Sequence, residues 1–371
     1  MTKSRSLVTR YEDDLRLFRG SRGLLVGCVT LLVLYLTGPS FLSGFQLDVA
    51  NRIGIFAIGA IGLNLLTGYT GQVSLGHAFF VGVGAYSSVW FGTHHGWPFL
   101  VWLPLCAVVG GLVGAVIGPF ALRLRGNYLV IVTLGLLFVG EHVFVNWHQL
   151  TGGSRGASVT SPVKIGSLDF THLKIGNEVF TRDQSLFFLV WAIVAIVVLL
   201  AHNLVRSRAG RAMQAVRDRD LAAEIIGVSQ ARYKVGAFAV SSMLAAVAGG
   251  LYAVVQQYVS PGEFSGQLGL FLSIQFIAVI IVGGLGTIYG SVLGAIVVGA
   301  LPRLIENLGQ HVDLPFVYGD KGGSGGVISV YSLNQMLFGL LIVVFLLIEP
   351  RGLAAVWQRL RAYVKSWPFS Y

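Results

Sequence analysis

Gln72, Ser74 and His77 fall within GYTGQVSLGH, residues 68–77, a polar, glycine-rich string between two apolar stretches. An amide, a hydroxyl and an imidazole this close together can hydrogen-bond a small polar solute. With Gly76 and the nearby Asn64 they form the candidate solute path. A helix that breaks at such a string frees N–H and C=O groups at its ends, where charged or polar ligand groups can be met. Asn64, Ser74 and His77 could equally hydrogen-bond between helices, and residue types alone leave both readings open.

Other chemistry is sparse. Glu141 and Glu306 sit near the outer ends of apolar runs, and Asp48 at the start of one. Ionisable groups at mid-membrane mark proton relays, so their scarcity argues against a proton-driven carrier. No lysine follows a glycine, which excludes a Gly-x4-Gly-Lys-Ser/Thr phosphate loop. His94 and His95 are adjacent, so they do not share a helix face. His142 and His148 are far apart, and no HExxH occurs, so neither a metal site nor a metalloprotease is expected. Cys28 and Cys106 lie in apolar runs and read as packing residues. No nucleophile–base or paired-carboxylate constellation supports an enzyme. The chain is expected to hold no cofactor.

The elements that must position these residues follow from composition. The 371 residues are 54% hydrophobic and 11% charged, against about a quarter charged in soluble domains. This predicts an all-α polytopic membrane protein. Spans need about 20 apolar residues, and ten are read: 24–42, 47–67, 74–93, 98–119, 127–147, 184–204, 236–257, 268–284, 289–307 and 333–349. Ten spans place 19 of the 26 basic residues on one side, with both termini. By the positive-inside rule that side is the cytoplasm. The net charge of +10 is then a consequence of topology, and no nucleic-acid partner is needed.

The organisation is a cytoplasmic tail, 1–23, a transmembrane domain, 24–349, and a second cytoplasmic tail, 350–371. Outside loops span 148–183 and 308–332. In the first, VKIGSLDF and LKIGNEVF alternate like strands and predict a small hairpin. Gly110, Gly114 and Gly118 share a GxxxGxxxG pattern, as do Gly286, Gly290 and Gly294; close helix packing is the expected use. GYTGQVSLGH falls at the cytoplasmic end of spans two and three, yet lacks Lys and Arg. That predicts a broken or re-entrant helix near 68–77, since irregular backbone at membrane depth must be enclosed by protein or line a cavity.

The most charged inside segment is 206–234. Its middle reads as one short amphipathic helix with Ala212, Ala215, Val216, Ala222, Ala223 and Ile226 on one face. Arg211, Arg217, Asp218, Arg219, Asp220 and Glu224 lie elsewhere on it, and Gly227 stops it. Its acidic residues fit docking to a soluble partner better than adsorption to anionic lipid.

Within it, LAAEIIG, 221–227, resembles the EAA loop of bacterial ABC importers; Ala222, Ala223 and Gly227 match, and Leu221 replaces the Glu. GRAMQAVRDRDLAAEIIGVSQARYKVGAFAVSSMLAAVAGGLYA, GYTGQVSLGHAFFVGVGAY, LTGG at 150–153 and VGGLGTIYGSVLGA at 282–295 together resemble the LivM-type permeases of branched-chain amino acid importers. The resemblance covers most of 47–350. It implies a permease in the bacterial cytoplasmic membrane, paired with a second, homologous permease. It also implies two cytoplasmic subunits that bind ATP and Mg, an extracytoplasmic solute-binding protein, and a coupling helix at about Ala212–Gly227. A zwitterionic amino acid would then meet the ends of the broken helix. Urea, short-chain amides and aromatic acids remain alternative solutes, and an ATP-independent channel or facilitator is a more distant one.

Overall fold

The structure is a computed structural model, and it describes residue 35 and residues 37–122, 128–161, 163–165, 168–171, 174–175, 178–311, 317–318, 328–349 and 352–366. Apart from the short helical segments Val89–His94, His148–Thr151 and Gly153–Arg155, its helices are α1, Gly44–Thr70; α2, His77–Ser88; α3, Phe99–Leu122; α4, Tyr128–Asn146; and α5, Arg182–Arg206. They continue as α6, Arg208–Asp218; α7, Asp220–Ile225; α8, Gln230–Gln256; α9, Pro261–Phe264; α10, Gly266–Gly283; α11, Ile288–His311; α12, Val330–Ile348; and α13, Gly352–Ser366. Six of them are long and apolar enough to cross a membrane: α1, α3, α4, α5, α8 and α10. The chain is thus a polytopic helical protein, and those six lie where apolar runs were predicted. The span predicted at 24–42 falls largely outside the described residues. Two boundaries move notably: α8 starts at Gln230 rather than 236, and a helix occupies Gly352–Ser366 within the predicted tail. In α8 a charged helical turn extends past the apolar run on which the span was read, whereas Gly352–Ser366 is a separate 15-residue helix.

At the centre, α1 is buried on nearly every side from Asn51 to Thr70, as expected of a helix apolar all round. Its start is fixed by a capping box: Ser43 Oγ accepts from Gln46 N, and Gln46 Oε1 accepts from Ser43 N at 3.0 Å. Beside it, α8 offers a face of small residues, Ser241, Ser242, Ala245, Ala246 and Gly249, to α1, α2 and α3. A Cβ on Gly62 of α1 would sit 2.9 Å from Ser241 O, and one on Gly84 of α2 would strike Ala246. On α3, Gly110, Gly114 and Gly118 face Ala246, Ser242 and Val235. Gly290 and Gly294 bring α11 against Gly283 and Val279 of α10. Gly286 does not share that role: it lies in the α10–α11 link with φ 76°.

The opposite faces are apolar and exposed: Leu112, Val116 and Phe120 on α3, Ile131, Phe138 and Val139 on α4, and Leu199 and Leu200 on α5. A contiguous apolar exterior of this kind is a surface for lipid or a partner subunit. Between α4 and α5, β2 (Lys164–Ile165) pairs antiparallel with β3 (Leu168–Asp169), and β4 (Lys174–Ile175) with β5 (Glu178–Val179). Each of the two alternating strings therefore folds on itself. The same loop is tied to the bundle where β1, Ala157–Ser158, pairs with β6, Tyr258–Val259, just after α8. LTGG forms the turn after α4: Thr151 is buried and its Oγ1 donates to Phe144 O at 2.6 Å, while Gly152 and Gly153 adopt φ of 73° and 65°.

Candidate functional site

The backbone leaves helical conformation within GYTGQVSLGH, at residues 71–76. α1 ends when Gly71 turns left-handed at φ 72°, and α2 starts at His77. Gly68, Tyr69, Thr70, Gln72, Ser74, Gly76 and His77 are buried, whereas Gly71 and Val73 are exposed. Protein groups satisfy both ends. At the C-terminal end of α1, where the helix dipole is negative, Gly68 O accepts from Arg217 Nη1 at 2.6 Å. At the start of α2, Leu75 N donates to Thr133 Oγ1 at 3.0 Å and Ala78 N to Ser273 Oγ at 3.1 Å. Those hydroxyls replace the side-chain cap that Gly76 cannot supply.

The candidate solute-path residues are separated by these bonds. Asn64 closes a second break, the α10–α11 link: its Nδ2 donates to Thr287 O and Ser291 Oγ, both at 2.8 Å, and its Oδ1 accepts from Gly286 N at 2.9 Å. His77 Nε2 lies 2.9 Å from Gly59 O, and its ring stands edge-on to Phe276 at 4.9 Å. Ser74 Oγ accepts from Gly76 N at 3.3 Å, and Gly76 lies against Thr133 O. Gln72 is buried with Nε2 unpartnered among the described residues. Asn64 thus bonds across to the α10–α11 link, His77 to α1, and Ser74 within its own turn. Thr133, Ser273, Thr287 and Ser291, which complete the breaks, were not singled out in the sequence; an isolated hydroxyl in an apolar run was the available signal.

The segment read as one coupling helix is two. Ser207 Oγ caps α6 by accepting from Ala209 N at 3.2 Å, and Arg219, at φ −153° and ψ 96°, separates it from α7. Gly227, at φ 88°, ends the unit as predicted, with its N–H on Glu224 O. Met213, Val216 and Ala223 face inward, while Arg211, Ala222 and Glu224 are exposed and Ala212 and Asp220 are half-buried. Ala222 and Ile226 are corrections: both are exposed, away from the inward face of Val216 and Ala223, and Ile226 at 75% makes an apolar knob with Leu221 at 65% and Ile225 at 87%. The break at Arg219 rotates α7 out of the register a single helix would impose.

Besides the packing of α6 on α1, α5 and α8 and the Lys234–Asp220 ion pair at 3.9 Å, hydrogen bonds from Arg217 and Gln230 join this unit to the bundle. Arg217, beside Asp218 at 3.0 Å, reaches Gly68 O and approaches Gly286, so it touches both breaks. Gln230, in the first turn of α8, donates from Nε2 to Asp220 O at 3.0 Å and Glu224 Oε2 at 2.9 Å.

A bundle of lipid-length apolar helices with two interlocked breaks and a charged helix pair at one end defines a multi-pass membrane transport subunit. The chain belongs to the family described as branched-chain amino acid transport system / permease component, whose model matches residues 45–346. It is 30% identical over 296 residues to the high-affinity branched-chain amino acid transport system permease protein LivM of Escherichia coli, covering 76% of this chain and 69% of that protein. It is 24% identical over 320 residues to the LivH permease of the same organism, covering 80% and 90%. With the guanosine ABC transporter permease NupP of Bacillus subtilis it shares 27% identity over 278 residues, 71% and 69% of the two chains. No solved structure matches it significantly.

Proposed function

We propose that the chain is the transmembrane subunit of an ATP-driven importer of branched-chain, hydrophobic amino acids. In this reading it spans the bacterial cytoplasmic membrane ten times with both termini inside, and it pairs with a second, homologous permease. Two cytoplasmic subunits bind ATP and Mg, and an extracytoplasmic binding protein delivers the solute. The observation that carries the reading is the α6–α7 unit, an exposed apolar knob hydrogen-bonded through Arg217 and Gln230 to the helix break and to α8. A channel has no use for such a knob. ATP-driven closure of the partner subunits would pull α7, move α8 through Gln230 and shift the breaks through Arg217, changing the side to which the central path opens.

Co-expression with the second permease and the ATPases tests this. The intact complex should copurify and accumulate L-leucine only when ATP and the binding protein are supplied. Transport of urea, an aromatic acid or a nucleoside in place of leucine would reassign the solute, and uptake without ATP would sink the importer reading.

A further inference from the structure

A cavity of about 320 Å3 lies where α1 begins and α8 ends, within the size range of small-molecule sites. Its walls are apolar: Ile55 and Phe56 of α1, Leu268, Leu272 and Phe276 of α10 and Val298 of α11. Its polar groups are Arg52, Tyr252, Glu263 and Gln275.

Three of these belong to one directed chain of hydrogen bonds. Arg52 Nε donates to both carboxylate oxygens of Asp48, at 3.3 and 3.1 Å, and Arg52 Nη2 donates to Gln256 Oε1 at 2.7 Å. Gln256 Nε2 donates to Tyr252 Oη at 3.2 Å, and Tyr252 Oη donates to Glu263 Oε2 at 3.0 Å. The cation and the anion are thereby fixed but held apart by two neutral side chains. Arg52 is also ion-paired with Asp48 at 3.1 Å and Glu263 also meets the Ser260 backbone, and both residues line the cavity. A guanidinium with five N–H donors and a carboxylate with about four lone-pair sites can each take a ligand group beside these partners. A fixed pair of opposite, separated charges above an apolar chamber is complementary to a molecule with the same three features.

We propose that this cavity binds a free α-amino acid with an aliphatic side chain. Arg52 takes the carboxylate, Glu263 the ammonium, and the Phe56–Leu272–Val298 wall the side chain. The inference rests on the importer reading and places the solute on groups other than GYTGQVSLGH. The cavity floor explains how the two relate. Phe276 stacks on Phe56 at 4.9 Å and meets His77 edge-on, so these two rings separate the chamber from the break below.

The test is equilibrium binding of tritiated L-leucine to the intact permease–ATPase complex in lipid nanodiscs, with no solute-binding protein present. Unlabelled L-leucine should compete, while 3-methylbutylamine and 4-methylpentanoate, each lacking one charge, should compete about tenfold or more weakly, the worth of one charged hydrogen bond. Glu263→Gln and Arg52→Gln should each weaken binding by about the same factor. Leu268→Trp, which fills the chamber and leaves the polar chain alone, should weaken it too. Copurification of the ATPases shows that each variant assembles, and the remaining variants decide if one does not. Absence of leucine binding to the wild type, or equal binding by all assembled variants, overturns the cavity assignment. ATP-driven leucine uptake with the binding protein, measured on the same preparation, reports separately on the importer reading.

Discussion

Asn64 shows how one side chain can hold two elements. Asn64→Leu would remove the partner of Gly286 N and one bond each from Thr287 O and Ser291 Oγ, which keep their bond to one another. At about 1–3 kcal/mol for a buried polar group so orphaned, the purified variant should melt below the wild type, and an unchanged melting temperature would contradict the structural role. Glu263 makes a pH prediction. Burial raises its carboxyl above the usual range, while the Tyr252 hydrogen bond and the Arg52 charge partly oppose that shift. Since the raised pKa means protonation on mild acidification, leucine binding should fall at a pH where an exposed glutamate stays ionised, and Glu263→Gln should flatten the profile. Asn64 was legible in the sequence as an amide inside an apolar run. Arg52, Tyr252 and Glu263 were not, because they lie on three elements and only folding brings them to one chamber.

At the scale of elements, the long apolar runs revealed their helices, since twenty apolar residues have few other uses. Interruptions were harder to read. Glycines 68, 71 and 76 marked the first break, but the division of α6 from α7 turns on the extended backbone of Arg219, a residue with no special conformational signal. That division is what exposes Leu221, Ile225 and Ile226. Ile225→Asp should therefore abolish copurification of the ATPases without lowering the melting temperature of the permease, because an 87% exposed side chain contributes little to packing. Retained copurification would move the docking surface elsewhere. The glycine pattern of α3 makes the opposite prediction. A Cβ on Gly110 would meet Ala246 and lie 2.7 Å from Ser242 O, so Gly110→Leu should destabilise the bundle by about 1–3 kcal/mol or more, seen as a lower melting temperature.

Taken as a whole, the molecule is built around α8, whose small-residue face receives α1, α2 and α3, and whose first turn grips α7. Arg217 adds a second route, from α6 to the carbonyl end of α1 and the glycine link before α11. In the proposed mechanism, motion of the α6–α7 unit would reach both breaks through these side-chain contacts. The direct measurement is ATP-dependent L-leucine uptake into proteoliposomes holding the complete complex, compared for wild type, Arg217→Ala and Gly227→Asp. Wild type should accumulate leucine only with ATP, while Arg217→Ala, which loses a charged hydrogen bond, should transport about tenfold or more slowly with the ATPases still bound and hydrolysing. Gly227→Asp, which forces a side chain into φ 88°, should behave alike. Wild-type uptake rates in both variants, or uptake indifferent to ATP, would contradict coupling through this unit.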